Sequence, residues 1–227
     1  MADAAPPRGG DRNVERARNI ETATLSDALD RLGIAGQCLG IKPLDHACRS
    51  AGRAFTVKYT AASSPPGTVG DFIDDVPQGS VVVIDNDGRA DATVWGDIMT
   101  FLADKRGLGG TVIDGACRDT HLALTLGYPM FSRSYSMRTG KDRVQLDSVQ
   151  VPITIGQARV CPGDIVRGDS DGVVILPHAR EAEILDLAET IDAAEARIRT
   201  ALADGMTLAE ARRVQNYHVL QRREPAA

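Results

Sequence analysis

Several things are missing from this sequence, and each absence removes a class of function. No stretch approaches the ~18 consecutive apolar residues that a membrane-spanning helix needs. There is no basic excess either: 26 Lys and Arg stand against 31 Asp and Glu, a formal net charge of −5. That balance argues against a nucleic-acid-binding surface, which needs a basic stripe. The four cysteines, Cys38, Cys48, Cys117 and Cys161, form no C-x-x-C pair and have neither zinc-site nor disulfide-scaffold spacing. They read as reduced thiols of a cytosolic protein. No G-x-G-x-x-G follows a strand and no G-x-x-x-x-G-K-[ST] occurs, which weakens nucleotide-binding readings. The N-terminal residues carry Pro, Gly and charge but no apolar core of a signal peptide. The expectation is a soluble, intracellular, cytoplasmic protein without a membrane or nucleic-acid partner.

What is present is ordinary globular material, 227 residues with 43% hydrophobic and 25% charged side chains. The reading is a disordered tail over 1–13, one α/β domain over 14–177 and a C-terminal helical extension over 178–227. Thr24–Gly33 has helical spacing at Leu25, Ala28, Leu29 and Leu32, and Gly33 supplies a stop. Ala54–Thr60 alternates as a strand. Ser80–Asp85 and Thr111–Asp114 are β-branched runs of the kind buried on both faces, and Asn86-Asp87-Gly88 supplies turn chemistry. Helices are expected over Gly96–Arg106 and Asp119–Leu126. This strand–helix–strand–helix order predicts an α/β core. Short strands follow at Met130–Tyr135, Val149–Ile155, Ala158–Val160, Ile165–Arg167 and Val173–Leu176. His178–Leu202 is amphipathic, with Ala182, Leu185, Ala188, Ile191 and Ile198 on one stripe. Thr207-Leu208-Ala209-Glu210 has the pattern of a capping box. The arm's stripe needs cover from its own core or from a second subunit.

The chemistry concentrates in Trp95–Met99 and Val112–Asp119. Each segment follows a buried strand or opens a helix, where α/β proteins place ligands. Amides exposed at a helix N-terminus bind anions, and Gly96 lets the backbone approach a ligand closely. The amides of Gly96, Asp97, Ile98 and Met99 are therefore candidates to cradle a carboxylate or an enolate oxygen. Arg118 offers a planar fork suited to an oxyanion. Asp119 offers a hard oxygen ligand for Mg²⁺ or Mn²⁺, which often take only one or two protein carboxylates. On spacing alone a plainer reading stands beside this one: Asp119 caps a helix, Arg118 is a surface arginine, and Asp97 merely favours its helix start. Asp85–Gly88 and Asp169–Gly172 read as turns, Pro162-Gly163-Asp164 as hairpin punctuation, and Cys117 as a small buried thiol. His46, His178 and His218 read as surface residues, and His121 points away from Asp119 on its helix.

Taken together, Ala51–Val57, Trp95-Gly96-Asp97, Arg106-Gly107, Val112–Asp119, Pro129-Met130-Phe131 and Pro162–Val174 resemble one family. It contains the 4-hydroxy-4-methyl-2-oxoglutarate / 4-carboxy-4-hydroxy-2-oxoadipate aldolases and the regulator of ribonuclease activity A. The likeness runs in order over roughly residues 20–178. It implies an α/β/β/α sandwich around a barrel-like sheet, similar to a swivelling phosphohistidine domain. It also implies a homotrimer or homohexamer with the site at a subunit boundary.

For the site, the resemblance implies that Asp119 holds Mg²⁺ or Mn²⁺, partly through water. Arg118 binds the pyruvyl oxygen, Gly96–Met99 bind the pyruvyl carboxylate, and Asp97 lies near the proton-transferring water. The implied activity is a pyruvate-releasing aldolase acting on a small 2-oxo acid, with oxaloacetate decarboxylation beside it. The family also contains regulators that bind a ribonuclease without catalysis. The aldolases place a glutamate from a C-terminal extension in a neighbour's site. Nothing in the tail here matches that motif, and neither Glu195 nor Glu210 is assigned the role.

Overall fold

The structure, a computed structural model, describes residues 11–221. In chain order the elements are α1 (Arg12–Arg18), α2 (Thr22–Leu32), β1 (Lys42–Pro43), β2 (Ser50–Ala61), β3 (Val81–Thr93), α3 (Asp97–Lys105), β4 (Gly110–Cys117), α4 (Thr120–Leu126) and β5 (Met130–Tyr135). There follow β6 (Val144–Val149), β7 (Ile153–Ile155), β8 (Ala158–Val160), β9 (Ile165–Gly168), β10 (Val173–Leu176), α5 (Glu181–Ala203), α6 (Leu208–Val214) and α7 (Tyr217–Gln221). Short 3-10 turns lie at Asp71–Asp75 and His178–Arg180.

Strands β2, β3, β4 and β5 run parallel, with Ala54 opposite Val81, Val81 opposite Gly110, and Thr111 opposite Met130. The eight-stranded sheet continues as β1-β5-β4-β3-β2-β9-β10. The long β2 also pairs antiparallel with β9 through Ser50–Arg53 and with β6 through Val57–Ala61. One strand thus serves both halves and curls the sheet into a nearly closed barrel.

The β-branched runs are explained by which core each residue enters. Along β3, Val81 and Val83 point into one cluster with Val112, Phe131, Val166 and Ile175, while Val82 and Ile84 point into another. That second cluster lies under α3 and α4 and contains Ala103, Ala123, Trp95 and Phe72. Strand β10 divides the same way: Val173 and Ile175 face the barrel interior, and Val174 and Leu176 meet α1, α2 and α5. Both faces are dry, so alternation between apolar and polar residues disappears. The layers run helix, sheet, sheet, helix, matching the α/β/β/α expectation. Each fully buried Ile or Leu side chain contributes on the order of 1.5–3 kcal/mol, so every layer contact counts.

Four details differ from the sequence reading. Arg12 and Asn13 are helical, with the Asp11 carboxylate accepting from the Asn13 and Val14 amides, so the supposed tail is structured from its eleventh residue. Residues 1–10 lie outside the described residues. Strand β3 does not end at Asn86-Asp87-Gly88. Asp87 and Gly88 take positive φ (52° and 64°) and the β3–β4 register shifts there, so turn residues make a bulge and the strand continues to Thr93. The stretch Val149–Ile155 splits at Gln150 (φ 55°) and Pro152 into β6 and β7, because neither residue suits a continuous strand. On α5, Ile184 is buried and Ala182 exposed. The stripe of α5 packs on α1, α2 and the outer face of β9–β10, so the extension shares a core with residues before 178. Among the described residues no helix is long and apolar enough to cross a membrane.

Candidate active site

The site lies where β3 and β4, neighbours in the parallel sheet, both end. The bulge in β3 brings Val94 and Trp95 alongside β4, where the Val94 amide donates to the Ala116 carbonyl (3.3 Å) and the Arg118 amide to the Trp95 carbonyl (2.9 Å). These bonds put Gly96 directly beside Arg118-Asp119. Trp95 is buried and stacks on Tyr128 at 6.5 Å between ring centroids. Its indole donates to Thr100 Oγ1 (3.0 Å), which in turn donates to the Gly96 carbonyl (3.0 Å). The turn opening α3 is thereby anchored in the core from below.

Asp119 occupies the N-cap position of α4 without capping it. Its backbone is left-handed (φ 55°, ψ 38°) and its side chain makes no cap hydrogen bond. An N-cap residue normally has extended backbone and accepts from the first helical amides, so the plain capping reading fails here. The carboxylate turns instead towards Gly96 and Arg118. Oδ2 lies 3.4 Å from the Asp97 amide and 3.3 Å from Arg118 Nε. Non-glycine residues with positive φ are uncommon, although Asp is among the more tolerant, and such positions cluster at functional sites.

Gly96 lies closely against the side chains of Asp119 and Arg118. A Cβ there would sit 2.8 Å from Asp119 Oδ2 and 3.3 Å from Arg118 Nε. Asp97 and Ile98 are exposed and Met99 is half-buried. Asp97 Oδ1 accepts from the Ile98 amide at 2.8 Å. Two amides of the expected anion cradle therefore already face carboxylate oxygens of the protein, which is the chemistry a substrate carboxylate would present. Apart from Asp119, Arg118 has no side-chain partner among the described residues, so the outer edge of its fork is available to an oxyanion.

A cleft of about 530 Å³ opens beside these groups. Its lining includes Gly96–Met99 and Arg118, and it continues along Gly67–Asp71 and Thr139–Lys141. The sequence showed no motif in those two loops; the return of β6 onto β2 holds the first, and Thr93, bonded to the Arg138 carbonyl and bridged to Thr139, holds the second. For a divalent cation the fit rests on Asp119, a hard carboxylate turned away from its helix. Among the described residues no group of three or more His, Cys, Asp or Glu converges on one point. Magnesium, which keeps several waters and takes one or two carboxylates, matches such a donor set.

Other candidates are structural. Asp114, in the same motif, binds Arg133 Nε and the Gly156 amide, both at 2.6 Å, and ties β4 and β5 to the β7–β8 hairpin. Asp164 and Asp169 are buried and accept backbone amides of Cys161, His178, Thr22 and Asp171. Burial pushes the Cys117 thiol upwards, which suits an inert core residue. His178 is on the surface but has partners, Glu181 and Arg53.

The chain is similar to known proteins over most of its length. Residues 22–175 match the family model described as RraA-like, Aldolase/RraA. Protein DlpA of Legionella pneumophila is 40% identical over 203 residues, covering 88% of this chain but only 33% of that protein, so the chain spans about a third of DlpA. A protein of Halalkalibacterium halodurans, provisionally named a 4-hydroxy-4-methyl-2-oxoglutarate aldolase, is 32% identical over 193 residues, 85% of this chain and 90% of its own. Among solved structures, a Pseudomonas syringae pv. tomato protein has a TM-score of 0.83 at 41% identity, covering 92% of this chain and 100% of that one. Streptomyces coelicolor RraAS2, described as an unusual member of the RNase ES inhibitor RraA protein family, has a TM-score of 0.79 at 26% identity, covering 85% and 99%. The chain belongs to the RraA-like, Aldolase/RraA family.

Proposed function

We propose that this chain is a divalent-metal-dependent carbon–carbon lyase that cleaves a 4-hydroxy-2-oxo acid to pyruvate and a second carbonyl product, and that also decarboxylates oxaloacetate. The observation that carries the reading is Asp119, left-handed and uncapping, set with Arg118 against the Gly96 turn. The provisional aldolase name of the Halalkalibacterium relative supports a lyase at the level of the family.

Asp119 would hold Mg²⁺ or Mn²⁺, which when bound polarises the 2-oxo group as a Lewis acid. The amides of Gly96–Met99 bind the pyruvyl carboxylate, displacing the Asp97 side chain from the Ile98 amide. Asp97, released, orients a water that takes the proton of the 4-hydroxyl. As the C3–C4 bond breaks, its electron pair moves towards C2 and the C4 oxygen becomes a carbonyl. Charge develops on the C2 oxygen of the pyruvate enolate, and the Arg118 fork stabilises it. Protonation at C3 then yields pyruvate. Oxaloacetate gives the same enolate by losing CO₂. The active assembly in this reading is a homotrimer or homohexamer, in the cytoplasm.

The test is pyruvate release from oxaloacetate and from 4-hydroxy-4-methyl-2-oxoglutarate with Mg²⁺ or Mn²⁺, then with chelator. Turnover abolished by chelator and restored by metal is expected, and the rate ratio ranks aldolase against dedicated decarboxylase. Turnover indifferent to chelator would overturn the metal role. A second reading, a non-catalytic regulator binding a ribonuclease, is favoured by the likeness to RraAS2. Capture of a ribonuclease that survives Asp119→Ala, with no turnover on either acid, would select it.

A further inference from the structure

We propose that Gln145, remote from the reacting groups, is a positioning residue that sets the wall of the cleft met by the part of the substrate beyond its pyruvyl group; this rests on the reaction proposed above. The segment leading into that wall, residues 62–70, has no regular secondary structure. Its backbone polar groups therefore need partners elsewhere, and one side-chain atom supplies several of them. Gln145 Oε1, from β6, accepts the Ser63 amide at 2.8 Å and the Gly67 amide at 2.9 Å. The Ser63 hydroxyl lies 2.9 Å from the same oxygen and 2.8 Å from the Pro65 carbonyl, its single proton serving one at a time.

Backbone bonds on either side fasten the loop to the same strand. The Ala62 amide donates to the Arg143 carbonyl (3.0 Å) and the Leu146 amide to the Thr68 carbonyl (2.9 Å). The clip fits closely at Gly67, where an added Cβ would lie 3.2 Å from Gln145 Oε1. Beyond it the chain turns at Gly70 (φ 102°), against which Met99 Sδ packs, and enters the core through Phe72, stacked on Phe55 at 6.3 Å. The wall is thus held at one end by a packed aromatic and at the other by the Gln145 amide oxygen together with the two backbone bonds to β6. Met99 touches both the wall and the Gly96 turn, so displacement of the loop alters the distance between them. Pyruvate, filling only the cradle and the Arg118 fork, leaves a methyl group to face the wall. A five-carbon 2-oxo diacid extends along it.

The test pairs hydrogen exchange with ligand affinity in the full-length protein with saturating Mg²⁺, using pyruvate and 2-oxoglutarate, which lacks the 4-hydroxyl and is not cleaved. Gln145→Leu is expected to raise amide exchange over residues 67–74 about threefold or more. It should weaken 2-oxoglutarate about fivefold and leave pyruvate within about twofold. Gln145→Glu keeps the acceptor and should restore both readouts. Unchanged exchange in Gln145→Leu, or equal loss of both ligands, would overturn the proposal. Wild-type protein that bound neither acid would overturn the underlying reaction and, with it, the role in substrate discrimination. Exchange would still separate that failure from the absence of a clip.

Discussion

At the scale of single residues, the site depends on two backbone conformations. Asp119 gives up the usual capping role to present its carboxylate, and Gly96 gives up a side chain to make room for it. Asp119→Ala removes the proposed metal ligand and is expected to lower metal-dependent kcat/KM by about a thousandfold with Tm little changed. Turnover that survived this change would refute the assignment. Gly96→Ala places a methyl group within 2.8 Å of Asp119 Oδ2. Since an ångström of misplacement costs about a hundredfold in rate, a loss of about that size is expected from steady-state kinetics, with circular dichroism unchanged. Full activity in Gly96→Ala would mean that the carboxylate moves freely and that its observed setting is unimportant.

At the scale of elements, the start of α5 is held by a compact polar cluster. Glu181 is buried and receives Arg53, Asn13 and His178, while Arg53 also pairs with Asp11 ahead of α1. Burial by itself would raise the Glu181 carboxyl, but the hydrogen bonds from Arg53, Asn13 and His178 outweigh it and hold the group at about 2 against an ordinary 4.5. A depressed carboxyl stabilises the fold above its ordinary value, and that contribution falls away as pH drops from about 4.5 towards about 2. Glu181→Gln should therefore destabilise by on the order of 2 kcal/mol at neutral pH. The gap between wild type and variant in urea midpoint should close as pH falls through that window. A gap independent of pH would show that the amide loses packing rather than charge.

At the scale of the whole molecule, α3, α4 and the segment after β5 carry exposed apolar side chains, of which Ile98 lines the cleft. Ile98 is 77% exposed, Phe101 58%, Leu124 47% and Met137 89%. Clustered exposed apolar groups mark interaction surfaces more often than isolated ones do. Together with the assembly proposed above, this predicts that sedimentation finds a trimer or hexamer, and that Phe101→Asp shifts it towards protomers with a parallel loss of turnover. A wild-type protomer with full activity would remove the subunit boundary from the mechanism.

The division between what was legible in the residues and what was not follows from the range of the interactions involved. Local rules place helices α2 to α5, the strands β2 to β5, and Gly96 with Arg118-Asp119 as candidate site segments, because helix stops, β-branched runs and strand ends are written within a few neighbouring residues. They do not reveal that Asn86–Gly88 bulges instead of turning, since only the neighbouring β4 decides whether turn residues reverse a chain or kink it. They leave Asp119 open between cap and ligand, and the capping role is excluded only by its backbone angle and by the turn brought beside it from another strand. Gln145 is silent in sequence for the same reason: it lies 78 residues from the Gly67 amide it binds. The sequence by itself determined the strand–helix alternation of the core and the chemical inventory of the site, while the layered sandwich was implied only by the family resemblance. Which carboxylate turns away from its helix towards the Gly96 turn, and which loops wall the cleft, was decided by the tertiary structure, because both rest on hydrogen bonds between segments that only the closed sheet brings together.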